Sequence, residues 1–193
     1  FYNRTENSFQ VLVKRLLDYN FTNNQDYLRS EYLYNELVIP TMDLISYSYL
    51  LKILINNDKH VMFTGETGTG KTVHINRYLM QDLDENKLPL NMMFSAATSA
   101  NQVEDYIFKQ CQNRRRRVVG PPLGKKYVIF VDDINMPSRE IYFAQPPIEL
   151  LRQFIDQKGL YNRHLLEFTS IEDCTMICAL GPPGGGRNPM TSR

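Results

Sequence analysis

Eight residues constrain this chain more than any others. Gly65-Glu66-Thr67-Gly68-Thr69-Gly70-Lys71-Thr72 stand between the apolar run Val61-Met62-Phe63 and a stretch in which Ile75, Tyr78 and Leu79 recur at helical spacing. Glycines at these positions let the backbone wrap with its N–H groups pointing inward, and a helix opening at the end of the turn adds positive potential. Lys71 is then placed to reach the β- and γ-phosphates of a nucleotide, and the Thr72 hydroxyl to reach Mg²⁺. The bland alternative is a Gly/Thr-rich turn, but the strand, loop, helix order favours phosphate binding. All eight residues are therefore candidates for holding the cofactor.

The rest of the chain repeats that order. Phe9, Leu12, Val13, Leu16 and Leu17 predict a helix that ends at the Asn-rich stretch beginning at Asn20. Thr41 follows Pro40 and predicts a capped helix with Asp43 in its first turn, Leu44, Leu51 and Ile55 on one face, and a stop at Asn56-Asn57-Asp58. A strand is expected over Leu88 to Phe94, then a helix through Val103, Ile107 and Cys111 opened by a capping box, Ser99 to Gln102. Arg114 to Arg117, Pro121-Pro122 and Gly124 read as a basic connection that breaks the helix. Tyr127 to Val131 is too apolar to be anything but a central strand. Pro146-Pro147 start a helix marked by Ile148, Leu151 and Ile155, and Thr175 to Leu180 is a last buried run. Strands alternating with helices predict an α/β fold, a three-layer αβα arrangement with a central parallel sheet.

The Tyr127 to Val131 strand ends in Asp132-Asp133, and in open α/β sheets ligands sit at that end of the strands. Asp132 is the candidate for holding Mg²⁺ beside Thr72, and Asp133 for orienting or deprotonating an attacking water. Helix capping is the ordinary use of such acids, but the upstream phosphate loop favours the functional pairing.

Composition narrows the remaining choices. Twenty-two Lys plus Arg against 21 Asp plus Glu leave a formal charge of +1, which argues against nucleic acid or an acidic membrane as partner. The arginines at 114–117 are read as a solvated loop or a contact with another module, since no aromatics interleave with them. No apolar window is long enough to span a membrane, and the start carries neither a signal-peptide core nor an initiator Met, so the reading is a soluble fragment of something longer. Cys111, Cys174 and Cys178 form no even-numbered framework, which fits a reducing, cytosol-like compartment, and His60, His74 and His164 are scattered. No protein-bound metal is expected beyond the nucleotide's Mg²⁺.

Longer stretches carry a family likeness. Residues 39–43, 94–102, 120–126, 130–137, 144–153 and 181–188 resemble the AAA+ ATPases, and among them the third AAA+ module of dynein heavy chains of the axonemal kind. The blocks Asp132-Asp133-Ile134-Asn135-Met136-Pro137 and Ala144 to Gln153 are far more specific than the phosphate loop. The resemblance covers most of residues 38–193. It implies an AAA+ large αβα subdomain over 38–193, preceded by a helical lead-in over 1–37 and lacking the last strand and the lid. It also implies ATP or ADP with Mg²⁺ as cofactors, and Val38, Ile39 and Pro40 against the adenine. Arg193 falls where related proteins carry an arginine that reaches into the neighbouring module's site. Implied partners are adjacent modules of the same heavy chain and, through other parts of it, intermediate and light chains and microtubules. The implied location is the cytoplasm and cytoskeleton, at the axoneme of a cilium or flagellum.

Two departures bear on turnover. Where the resemblance leads one to expect a catalytic Glu there is Asp133, one methylene shorter, and a misplacement near 1 Å costs on the order of 10²-fold. At the tip of the later strand, where a polar residue that senses the γ-phosphate is expected, Cys178-Ala179-Leu180-Gly181 offers only a glycine. Both point to a slow module that gates its neighbours. A nucleotide-locked switch without turnover and an unrelated P-loop kinase or helicase are the rival readings.

Overall fold

The computed structural model describes residues 2–3, 8–9 and 41–190. Tyr2–Asn3 (β1) and Ser8–Phe9 (β2) pair antiparallel, so Phe9 closes a short strand; the rest of the helix expected after it lies outside the described residues. Met42–Asn56 (α1) begins as expected, with the Thr41 hydroxyl accepting a bond from the Leu44 N–H at 3.3 Å. Leu44, Leu51 and Ile55 of this helix are all buried. The chain divides into two compact units, Phe1–Ile53 and Leu54–Arg193.

The second unit is built on four parallel strands in the order β3-β10-β7-β4. These are Val61–Thr64 (β3), Lys87–Met93 (β4), Lys126–Asp132 (β7) and Cys174–Leu180 (β10). β7 and β10 are central, and their residues show it. Val128, Ile129, Val131, Met176, Ile177 and Ala179 are almost wholly removed from water, as a strand covered on both faces must be. The helices that return the chain between strands are Lys71–Arg77 (α2), widened at its end into a π turn over Tyr78–Asp82, Ala100–Gln110 (α3) and Pro146–Gln157 (α4). Both halves of the capping box at Ser99 and Gln102 form, and prolines fill the first turn of α4. On α4 the residue that joins Leu151 in the core is Phe154; Ile155 is 40% exposed, so it sits one position off the buried face.

Cys178 lies within the core, and burial pushes its thiol up to about 12. His60, just before β3, accepts the Met176 N–H on Nδ1 at 3.1 Å, which requires a neutral ring; desolvation first, then the Lys158 charge, lower its pKa.

A second sheet was not foreseen. The stretch read as a basic connection folds into Gln112–Arg115 (β5) and Val118–Gly120 (β6), and Gly159–Asn162 (β8) with Glu167–Ile171 (β9) completes a mixed sheet in the order β5-β6-β9-β8. Arg117, at φ 60°, takes the left-handed position of the β5–β6 turn. Three of the four arginines there already have carboxylate partners. Arg114 pairs with Asp173, Arg115 Nη2 meets Glu172 Oε1 at 2.6 Å, and Arg117 binds both oxygens of Glu167 at 2.6 and 2.9 Å. At the β8–β9 turn Arg163 meets the buried carboxylate of Glu104 on α3 through its backbone N–H at 2.9 Å and Nε at 2.8 Å.

Candidate functional site

The three strands that deliver the site are neighbours. β10 lies between β3 and β7, with Leu180 in register with Thr64 and Cys178 with Val131. The phosphate loop after β3, Gly181 after β10 and the acidic pair at the end of β7 therefore open into one cleft of about 310 Å³. That is the carboxyl end of the parallel strands, where ligands gather.

Local chemistry shapes the loop. Gly68 and Gly70 stand at φ 84° and 78°, values that cost residues with a Cβ. At Gly70 a Cβ would also meet the His74 ring at 3.0 Å, so His74 packs onto the glycine that starts α2. Lys71 folds back over its own loop, donating from Nζ to the Gly65 and Glu66 carbonyls at 2.8 and 2.6 Å and to Thr69 Oγ1 at 3.3 Å. Phosphate oxygens in the cleft would compete for these donors.

Across the cleft the Thr72 hydroxyl donates to Asp132 Oδ2 at 2.8 Å, joining residues 60 positions apart. Asp132 is 8% exposed, and its other oxygen accepts the Asp133 N–H at 2.9 Å. A hydroxyl and a carboxylate held edge to edge are hard oxygen donors, the set that suits Mg²⁺ rather than a softer metal. The residues present fit the cation expected with a nucleotide.

Asp133 has left the strand. Its φ of 50° is left-handed, and its Oδ1 accepts Nε and Nη2 of Arg187 at 3.0 and 2.9 Å. The same guanidinium donates from Nη1 to Thr67 Oγ1 at 3.3 Å. Sequence reasoning assigned no role to Arg187, nor to Asn135, which is 1% exposed and donates from Nδ2 to the Gly181 and Asn188 carbonyls at 2.9 and 3.2 Å. Both lie inside stretches that carry the family likeness, 130–137 and 181–188. What linear order conceals is that those two stretches dock on each other.

The structure thus brings together Gly65, Glu66, Thr67, Gly68, Thr69, Gly70, Lys71, Thr72, Asp132 and Asp133. Val38, Ile39, Pro40 and Arg193 lie outside the described residues. A larger hollow of about 470 Å³ lies over the mixed sheet, but two of its charges, Arg117 and Glu167, satisfy each other.

Comparison with known proteins agrees with the geometry. The family described as P-loop containing dynein motor region matches residues 27–193. Dynein axonemal heavy chain 1 of Rattus norvegicus is 48% identical over 161 residues, 83% of this chain and 4% of that protein. Dynein axonemal heavy chain 12 of Mus musculus is 49% identical over 159 residues, 82% of this chain and 5% of that protein. Dynein axonemal heavy chain 3 of Homo sapiens is 46% identical over 159 residues, again 82% of this chain and 4% of that protein. The chain therefore spans only about a twentieth of the length of these relatives.

Proposed function

Because the chain belongs to the P-loop containing dynein motor region family, we propose that it is an ATP-binding AAA+ module, the third of a dynein heavy chain of the axonemal kind, which hydrolyses slowly and gates its neighbours. The observation that carries this reading is the 2.8 Å bond between Thr72 and Asp132, which closes the phosphate loop onto the acidic strand end. In the proposed module residues 38–193 form the large subdomain and 1–37 lead into it. Val38, Ile39 and Pro40 lie against the adenine, and Arg193 serves the next module's site. Its partners are the adjacent modules and, through the rest of the heavy chain, other chains and microtubules in the axoneme.

In this reading the loop amides from Gly65 to Thr72 hold the phosphates, and Lys71 exchanges its carbonyl partners for them. Mg²⁺, held by Thr72 and Asp132, supplies charge neutralisation on the phosphate oxygens when bound. Asp133 orients an attacking water and accepts its proton. It does so poorly, because its side chain is short; in the structure an arginine also engages it. That engagement also favours the second reading, a nucleotide-locked switch without turnover.

Calorimetry on the intact heavy chain tests the first step: Lys71→Ala should lower the nucleotide affinity of this site by at least about 100-fold, as loss of charge-assisted bonds to phosphate implies. Unaltered affinity would overturn the assignment. Single-turnover phosphate release from this site, lost in Asp133→Asn, would separate the slow enzyme from the switch.

A further inference from the structure

Arg187 is held in the cleft by more than its own charge. Gly184 and Arg187 exchange both backbone hydrogen bonds at 3.0 Å around Gly185 and Gly186, whose φ values of 57° and 88° are the paired left-handed positions of a type I′ turn. The turn sends residue 187 back over the end of β10. Asn188 then fixes the backbone, donating from its N–H to the Asn135 carbonyl and from Nδ2 to the Pro137 carbonyl, both at 2.9 Å. The guanidinium lies where a side chain at 181 would be: a Cβ on Gly181 would stand 2.9 Å from Arg187 Nε. Gly181 leaves the strand tip without a polar side chain of its own and so admits this one.

The partners it has there are replaceable. Nε and Nη2 converge on a single oxygen of Asp133, and the third contact is a 3.3 Å bond to the Thr67 hydroxyl. The ion pair is partly open to water, with side chains 21% and 32% exposed, so the bond it must give up is a weak one. A terminal phosphate offers three acceptor oxygens and more negative charge than one carboxylate, which is the geometry a planar fork prefers.

We propose that Arg187 is the residue by which this site distinguishes a nucleoside triphosphate from a diphosphate, its guanidinium exchanging Asp133 for the terminal phosphate. This rests on the nucleotide reading above and adds its specificity. With a diphosphate bound, the arginine stays on Asp133. With a triphosphate it lets go, so the carboxylate becomes available to a water only when there is a phosphoryl group to attack.

Hydrogen–deuterium exchange of the peptide covering 65–72, in the intact heavy chain, tests this with a readout independent of turnover. The probes are ADP and a non-hydrolysable ATP analogue, titrated with Mg²⁺. In Arg187→Ala the concentration of the analogue giving half-protection should rise about tenfold or more, with that of ADP changed less than about twofold. Arg187→Lys, which keeps the charge and loses the fork, should shift the analogue by a smaller factor, and it decides the matter if exchange in β7 and β10 shows the alanine variant misfolded. Asp133→Asn should shift the analogue the other way, toward tighter binding. Equal weakening of both nucleotides would make Arg187 a purely structural residue, and no shift in either would make it a bystander; each overturns the proposal. Failure of either nucleotide to protect 65–72 in the unmodified chain, or protection that survives Lys71→Ala, would instead sink the nucleotide reading itself.

Discussion

The two sheets of the second unit share one apolar core, to which the mixed sheet sends Val119, Leu160 and Ile171, but they differ in how much of each strand is buried, and only one of them carries the chemistry. In the parallel sheet, Tyr127 to Val131 and Thr175 to Ala179 are buried without a break, so both faces of these strands are removed from water. In the mixed sheet, β5 is Gln112–Arg115 with three of its four residues exposed, and carboxylates at Glu167, Glu172 and Asp173 face arginines across the strands. Apolar burial is not screened by salt and is costly to undo, whereas exposed ion pairs are screened and add little. The phosphate loop, Asp132 and Gly181 all sit at the ends of strands of the first sheet, so the site inherits its rigidity.

The sharpest way to break that contrast is to open the parallel sheet. Ile177 is fully buried on β10, paired with Val61 on one side and Phe130 on the other. Ile177→Ala should cost about 2–5 kcal/mol, read by urea titration with far-ultraviolet circular dichroism. A loss below about 1 kcal/mol would mean that the sheet yields to the cavity and is less rigid than its burial implies.

A smaller effect is expected where the mixed sheet is tightest. A Cβ on Gly159 would meet Phe168 Cζ and the Thr169 carbonyl oxygen at 2.6 Å each, and the carbonyl, being backbone, has little room to retreat. Gly159→Ala should destabilise by about 1–3 kcal/mol. Amide exchange should rise in β8 and β9 and stay slow in β7 and β10 if the sheets open as separate units. Exchange rising equally in both would show one cooperative body, and the comparison would dissolve.

How far each sheet could be read from sequence follows from the same difference. A strand buried on both faces writes itself as an apolar run, so β7 and β10 were legible, as was the helix start at Ser99, whose capping bonds are local. β5, β6, β8 and β9 are only three to five residues long, and Gln112, Arg115, Tyr161 and Glu167 give them no period that sets them apart from a loop. Their apolar residues Val119, Leu160 and Ile171 join the shared core only once the chain is folded, and the charge pairs along them, Arg117 with Glu167 and Arg115 with Glu172, link residues about fifty or more apart. The site divides likewise. Loop and acidic pair are contiguous motifs, but the contacts of Arg187 with Asp133 and of Asn135 with Gly181 exist only once β10 lies beside β7.

The smallest predicted effect is the most direct test of what the mixed sheet's charges do. Arg117 and Glu167 form a two-pronged pair, and the Arg117 hydrogen bond above all holds the Glu167 carboxyl below its ordinary value of 4.5. A lowered folded pKa means that the pair's contribution is present above that ordinary value and is lost as pH falls through the lowered one. Both groups stand in water, so Arg117→Ala at neutral pH should move the melting temperature by an amount close to the resolution of the measurement. Even that difference should vanish in about 1 M salt, where charges are screened within about 3 Å, and below the lowered Glu167 value. A large loss that survives salt would show Arg117 acting through packing, its aliphatic stem covering the hollow beside Phe168. The Arg117 stem would then count with Val119, Leu160 and Ile171, which already carry the mixed sheet into the shared core, and shape would outweigh charge at its exposed side as well.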